Sequence, residues 1–189
     1  MTNLASLLAA FVPSDEKERA DLTQMRAFAA SLSEPFSRGQ WPAHFTGSAV
    51  VVTPDGERVC LVMHAKLNRW LQPGGHADPA DAGSMEQTAL REAREETGLE
   101  VKLFPGAPAP FDVDVHVIPA RKTDPEHRHL DVRYLVVAAD PAALAHDPNE
   151  SHGAQWLGWE EAISRADEAP LRRMLGKARR IVAGAARSG

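Results

Sequence analysis

The chain is 189 residues long, enough for one domain with its own core, and its 43% hydrophobic and 25% charged content is that of an ordinary globular protein. Acidic residues outnumber basic ones 26 to 21, a net charge of -5, so the basic footprint of a nucleic-acid binder is missing. The single cysteine, Cys60, excludes an internal disulfide and a paired-cysteine metal site, and no stretch approaches the roughly 18 apolar residues of a membrane span.

The first forty residues read helical. Leu4–Val12 is largely apolar, lacks a basic start and runs into Pro13, Asp15, Glu16 and Glu18. That predicts a packing helix rather than a signal peptide and, with the lone cysteine, a cytoplasmic protein. Ser14 is the expected N-cap of a helix over Asp15–Leu32, with acidic residues in its first turn. Pro35 and Gly39 break the pattern, so residues 1–43 read as an N-terminal helical extension packed on a main domain over 44–189. From His44 the signal turns to strands: Gly47–Thr53, a Pro54-Asp55-Gly56 turn and Arg58–His64 make a hairpin. Pro73-Gly74-Gly75 ends the next extended piece, and residues 76–83 are a polar loop.

A helix follows from about Met85 to Thr97, with Ser84 and Gln87 placed as a capping box and Gly98 at its end. Phe111–Ile118 alternates, with Phe111, Val113, Val115 and Val117 on one face and Asp112, Asp114 and His116 on the other. Val132–Ala139 is mostly apolar, as in a strand buried on both sides. Short helices are expected near Pro141–His146 and Glu160–Ala166, and a last one over about Leu171–Ala186. Helices interrupting a mixed sheet make an α/β fold. The last helix is basic, with Arg172, Arg173, Lys177, Arg179 and Arg180, and reads as a solvated face. Between Asp78 and Glu100, by contrast, seven acidic residues meet two arginines, a local balance of -5 that equals the charge of the whole chain.

Within that acidic segment, Glu92, Glu95 and Glu96 sit at i, i+3 and i+4, inside one helical arc of about 100°. Three carboxylates there repel one another, raise each other's pKa, and lie toward the helix C-terminus, where the macrodipole disfavours anions. Oxygen-only donors arranged in this way suit a hard cation such as Mg²⁺ or Mn²⁺. The bland alternative is a solvated face with Arg91 and Arg94 as intrahelical partners. The Pro-Gly-Gly turn weighs against it, because glycines let the backbone approach a metal or a phosphate closely. The residues alone point to a divalent-metal site for a phosphorylated substrate.

Gly74-Gly75-His76 followed by Arg91-Glu92-Ala93-Arg94-Glu95-Glu96-Thr97-Gly98-Leu99 resembles the box of the Nudix hydrolases, the MutT-like family. The second half matches every fixed position, a coincidence expected in about one of ten thousand chains of this length. One feature departs from the family: its box carries a Glu six residues after the second glycine and eight before the Arg. Counting forward from Gly75 gives Asp81, and counting back from Arg91 gives Gly83, so the loop is two residues longer and Asp81 is the nearest acid.

The resemblance implies an α/β/α sandwich around a mixed sheet over about residues 44–165. It also implies metal-dependent hydrolysis of a nucleoside diphosphate linked to another moiety, such as a nucleotide sugar, a dinucleotide or a nucleoside triphosphate. Carried over by position, Glu92, Glu95 and Glu96 ligate Mg²⁺ or Mn²⁺ beside the Gly74 carbonyl, and Arg91 orients the cluster. Glu150, six residues before Trp156, is the candidate for the further carboxylate the family takes from a later loop, with Glu160 and Glu161 as weaker ones.

Lys66, Arg69, His76, Arg121, His127 and His129 are the candidate substrate-binding residues. His127, His129 and Asp131 alternate on one strand face, which makes them a substrate-facing or second metal-binding patch with His116 and Asp114, or else a polar face satisfied by hydrogen bonds. Arg121, Lys122, Arg128 and Arg133 are candidates to hold phosphates. Trp70 is placed either to stack on a base or, more ordinarily, at the core rim, and Cys60 reads as a core residue. Competing readings are a ligand-binding regulator on the same fold and an isomerase of the isopentenyl diphosphate type, which needs Cys60. Neither nucleic acid nor membrane is an expected partner, and the N-terminal extension is a candidate homodimer contact.

Overall fold

The computed structural model describes residues 4–107, 109–121 and 124–187. Two helices open the chain, α1 (Leu4–Ala10) and α2 (Glu16–Ser31). The cap of α2 is Asp15, one residue beyond the expected Ser14: the Asp15 carboxylate accepts the Glu18 amide, and Ser14 instead donates its amide and hydroxyl to the Glu18 carboxylate. An ionised acceptor at the cap is the stronger of the two. The strands β1 (Ala43–Val52), β2 (Arg58–His64), β3 (Arg69–Leu71) and β4 (Gly74–His76) follow. A 3-10 turn at Pro79–Asp81 then leads into α3 (Met85–Thr97) and β5 (Val101–Leu103). The chain continues through β6 (Asp112–Ile118), β7 (His127–Ala138), β8 (Ser151–Gly158), α4 (Trp159–Arg165) and α5 (Ala169–Ala186). The helix expected near Pro141–His146 is only a 3-10 turn over Pro141–Ala143, because the Ala145 amide bonds to the Thr97 carbonyl at the end of α3 instead of continuing a helix.

The strands form one mixed sheet in the order β3-β2-β1-β7-β5, with β4 on β1, β6 on β7 and β8 on β2. β1 and β7 run parallel, from Ala43 opposite Arg128 to Val52 opposite Val137, and the other pairs are antiparallel. The β1–β2 hairpin is closed only at Val51–Cys60 and Val52–Val59. Beyond that the two strands part, β4 taking the edge of β1 and β3 that of β2. This fork sets the Pro73-Gly74-Gly75 turn between the two halves of the hairpin.

Side-chain alternation gives the sheet two apolar faces. Phe45, Ala49, Val51, Leu130, Val132 and Tyr134 pack with Leu8, Leu22, Met25, Ala89 and Ala93 of α1, α2 and α3. Val50, Val52, Leu135 and Val137 pack with Leu171, Met174, Leu175 and Ala178 of α5. The result is an α/β/α sandwich. Gly47 lets α3 lie against β1: a Cβ there would stand 2.8 Å from the Met85 carbonyl oxygen and 3.0 Å from the Ala89 amide nitrogen. Among the described residues no helix is long and apolar enough to cross a membrane.

Two expectations about basic residues are corrected. Arg133 cannot hold a phosphate, since it is buried and already paired with Asp131 at 2.7 Å, Asp112 at 3.0 Å and Asp114 at 3.3 Å. The basic last helix is more than a solvated face: Arg173 reaches Asp112 and the Val113 carbonyl, and Lys177 pairs with Glu18. Asp112 and Glu18 are both fully buried, and buried carboxylates require cations from whatever element packs over them. The same pairs, with Lys17 reaching Asp21 and Asp114, fasten α2 to β6 and α5.

Candidate active site

α3 begins at Ser84, whose side chain accepts the Gln87 amide, and ends at Gly98, whose φ of 65° is left-handed and whose amide returns to the Arg94 carbonyl. Between these caps a buried stripe of Thr88, Ala89, Glu92, Ala93 and Glu96 faces the sheet. Two of the box glutamates therefore point inward. They meet Glu150, which enters from the turn before β8, where the Ala65 amide donates to its carbonyl at 2.9 Å and Ser151 pairs with His64. One carboxylate oxygen from each of Glu92, Glu96 and Glu150 lies within 4.8 Å of the others.

The glycine turn completes this arrangement. The Gly74 amide donates to the Glu96 carboxylate at 2.9 Å. A Cβ on Gly75 would fall 2.6 Å from the Glu92 carboxyl group, so a side chain there would displace it. Burial pushes the Glu92 carboxyl up to about 7, aided by Glu95 and Glu150 and opposed by Arg91. Burial likewise pushes Glu96 up to about 8, opposed by the Gly74 amide and aided by Glu92, Glu150 and Glu95. Acids this reluctant to ionise are an arrangement that a divalent cation would reverse.

Arg91 ties the cluster to the loop before α3. It donates to Asp81 from Nε at 3.1 Å and Nη2 at 3.0 Å, to Glu92 at 3.0 Å, to Glu95 at 2.8 Å and to the His76 carbonyl at 2.8 Å. Asp81 is itself buried and also accepts the Asp78 amide at 2.8 Å and the Thr88 hydroxyl at 2.9 Å. Burial alone would raise its pKa, but the Arg91, Asp78 and Thr88 hydrogen bonds hold it below the ordinary carboxylate value. The two additional loop residues are taken up in the Pro79–Asp81 turn and its exit, where Ala82 and Gly83 have φ of 50° and 74°. Thus the acid displaced in the sequence count is the one that grips Arg91.

Glu95 stands apart from the other glutamates: its side chain is 56% exposed and bonded to Arg91. The candidate substrate residues fall in three places. Lys66 and Arg121 lie by the Glu150 end, where both depress the His64 imidazole after burial does, and Glu150 opposes them. Arg69, in β3, is paired with Glu168 at 2.6 Å on the surface. His76, His127 and His129 converge with His44 at another place on the sheet, with ring centroids about 5 Å apart. Glu160 and Glu161 open α4, and Lys122 lies outside the described residues. Trp70 packs partly buried on the α5-side core with the Arg165 guanidinium 5.2 Å from its ring. Sequence reasoning passed over His44 and His64 because each merely ends a strand. The signal that would have found His44 is its register opposite His129.

The family model of the NUDIX domain matches residues 43–177. The chain belongs to the Nudix family. Among solved structures, the fold is similar to a Caenorhabditis elegans Ap4A hydrolase in a binary complex (TM-score 0.58, 20% identity, 74% of this chain and 98% of that one). It is also similar to a NUDIX-family hydrolase from Clostridium perfringens (TM-score 0.53, 24% identity, 75% and 97%). A third relative is the NUDIX domain of Shewanella oneidensis NrtR, solved with ADP ribose (TM-score 0.51, 21% identity, 72% and 86%). This Nudix protein is accordingly a hydrolase of phosphorus-containing acid anhydrides. The isomerase reading loses its reagent, since Cys60 is fully buried and burial, with Glu96 adding to it, pushes the thiol up to about 12.

Proposed function

We propose that this Nudix hydrolase uses Mg²⁺ or Mn²⁺ to cleave the pyrophosphate bond of a nucleoside diphosphate linked to another moiety: a nucleotide sugar, a dinucleotide or a nucleoside triphosphate. The carrying observation is the convergence of Glu92, Glu96 and Glu150, from two distant parts of the chain, on a turn stripped of side chains. The donor set fits a hard divalent ion, being all oxygen, partly buried and short of a cation of its own. When bound, such an ion neutralises charge on the diphosphate and acidifies a water molecule.

The chain's own residues supply positioning and proton handling. Glu92 and Glu96 would hold the ion, the Gly74 carbonyl being the further donor that the family resemblance implies, and the Gly74 amide keeps Glu96 aimed. Arg91 orients Glu92 and Glu95, and Asp81 orients Arg91. Glu150, on its own loop, is the candidate general base. Lys66, Arg69 and Arg121 are the candidate diphosphate contacts. The Ap4A named for the worm relative and the ADP ribose bound to the Shewanella domain support a nucleotide substrate.

The test is a hydrolysis screen with Mg²⁺ or Mn²⁺ over nucleoside triphosphates, nucleotide sugars, dinucleotides and CDP-alcohols, reading phosphate with and without added phosphatase. Turnover that the Glu96→Gln variant loses is the expected result. Turnover equal in the variant would remove the metal-site assignment. Silence of the intact protein across the panel, despite metal binding, would favour a ligand-binding domain without turnover.

A further inference from the structure

Histidines crowd one end of the sheet, and register explains why. His44 of β1 lies opposite His129 of β7, His129 lies opposite His116 of β6, and His127 is two residues back on the same face. Val50 and Val52 share that face with His44, so the cluster stands on the α5 side of the sheet, while α3 and its glutamates lie on the other. His76 joins from β4, opposite Thr46. The rings of His44, His127 and His129 have centroids 4.9 to 5.2 Å apart, and each residue offers one ring nitrogen within 4.8 Å of the others.

Hydrogen bonding fixes the free nitrogen of two of the three. His44 Nδ1 is 3.3 Å from the Gln40 carbonyl oxygen, and His127 Nδ1 is 2.8 Å from that of Pro125. A carbonyl only accepts, so each Nδ1 carries the proton and each Nε2 keeps its lone pair. Backbone carbonyls in this position are the usual supports of metal-ligating imidazoles. His44 is 1% exposed, yet its Nε2 has no hydrogen-bond partner. Buried polar atoms are rarely left so.

We propose that His44, His127 and His129 bind one borderline divalent transition-metal ion of the Zn²⁺ class, at a site separate from the carboxylates and with His76 beside its fourth position. Three imidazoles with no carboxylate among them select such an ion over Mg²⁺. Tetrahedral Zn–N bonds of about 2.0–2.1 Å set the nitrogens about 3.4 Å apart, so nitrogens that lie within 4.8 Å of one another draw together by at most about 1.4 Å on binding. Trp41 covers one flank, its ring 4.7 Å from that of His127. An ion here ties β1 to β7 and, through His76, to the strand that carries the glycine turn. The proposal does not rest on the hydrolase reading.

The experiment titrates Co²⁺, then Zn²⁺, into the full chain and follows visible absorption. One Co²⁺ per chain should give the strong d–d bands of a tetrahedral nitrogen site, and Zn²⁺ should bleach them. His127→Ala and His129→Ala should each weaken this binding at least tenfold, whereas Glu92→Gln and Glu96→Gln should leave it within twofold. Absence of the bands, or bands that follow the glutamates instead of the histidines, would overturn the assignment. If the histidine variants do not fold, histidine-labelled intact protein decides by ¹⁵N NMR: Zn²⁺ should shift one ring-nitrogen resonance of each of three histidines, and unmoved resonances would refute the site.

Discussion

Metal binding at the glutamate cluster should release protons at neutral pH, and the structure sets the amount. Glu92 and Glu96 are pushed up to about 7 and about 8, mainly by burial. At pH 7 the first is then about half protonated and the second about nine-tenths, so an ion requiring both ionised displaces roughly one to one and a half protons. Affinity should rise with pH accordingly, by a factor of about 10 to 100 between pH 6 and 7, and level off above about pH 9. Calorimetric titration of Mn²⁺ or Mg²⁺ in two buffers of matched pH and different ionisation enthalpy gives the proton count directly. Glu96→Gln should lower the count to half a proton or less, as well as weakening the binding. Buffer-independent heats together with pH-independent affinity would refute the reasoning, because they would mean that the ion does not use the two buried carboxylates.

Glu96→Gln should also separate function from stability. Its turnover should fall at least a hundredfold. A carboxyl pKa raised in the fold gives stability below the unfolded value, which is lost as pH rises toward 8, so the metal-free variant should melt a few degrees above the metal-free wild type at pH 8.5 and not at pH 5, by scanning fluorimetry. Asp81→Asn weakens the paired hydrogen bonds to Arg91 and should cost about 2 kcal/mol, some 4–8 °C in Tm. Because the Asp81 pKa is lowered in the fold, that penalty should be present at neutral pH and shrink below about pH 4; a constant penalty would contradict it. Arg133→Met strands three buried aspartates and should cost 3 kcal/mol or more, with a wild-type Tm as the contrary result. Cys60→Ala should keep full turnover, and native Cys60 should resist iodoacetamide until the protein unfolds.

Much of the fold was legible because local chemistry and tertiary packing agree. The β1–β2 hairpin announces itself through its turn residues, and α3 through Ser84 at one end and Gly98 at the other. What stayed hidden depends on partners distant in sequence. The acids of β6 look like a polar sheet face until Arg133 and Arg173 are seen to close over them. In the site, the box spacing identifies the helix and its glutamates but not which carboxylates meet. Helical phase alone groups Glu92, Glu95 and Glu96, whereas the fold brings Glu92 and Glu96 to Glu150 and leaves Glu95 with Arg91. Asp81 was uncertain by counting because a 3-10 turn advances the chain differently from an extended loop.

Among the described residues two groups of three carboxylates stand out, one buried throughout and one that joins buried Glu92 and Glu96 to exposed Glu150, and their difference bears on which one acts. Asp112, Asp114 and Asp131 surround Arg133, with Arg173 and Lys17 at the edge. There the protein brings its own cation: burial works to raise Asp114, but His116, Arg133 and Lys17 outweigh it and hold that carboxyl well below its ordinary value. Asp112, the most deeply enclosed, reaches about 6 even so. Among the described residues Glu92, Glu96 and Glu150 share no such cation, since Arg91 touches only Glu92 of the three and spends its other donors on Asp81, Glu95 and the His76 carbonyl. The first group is neutralised from within and fastens β6, β7 and α5 together. The second is held close by Gly47, Gly74 and Gly75, which let α3, β1 and β4 approach without side chains between them. Its charge is left for an ion and a phosphorylated ligand from solution to complete.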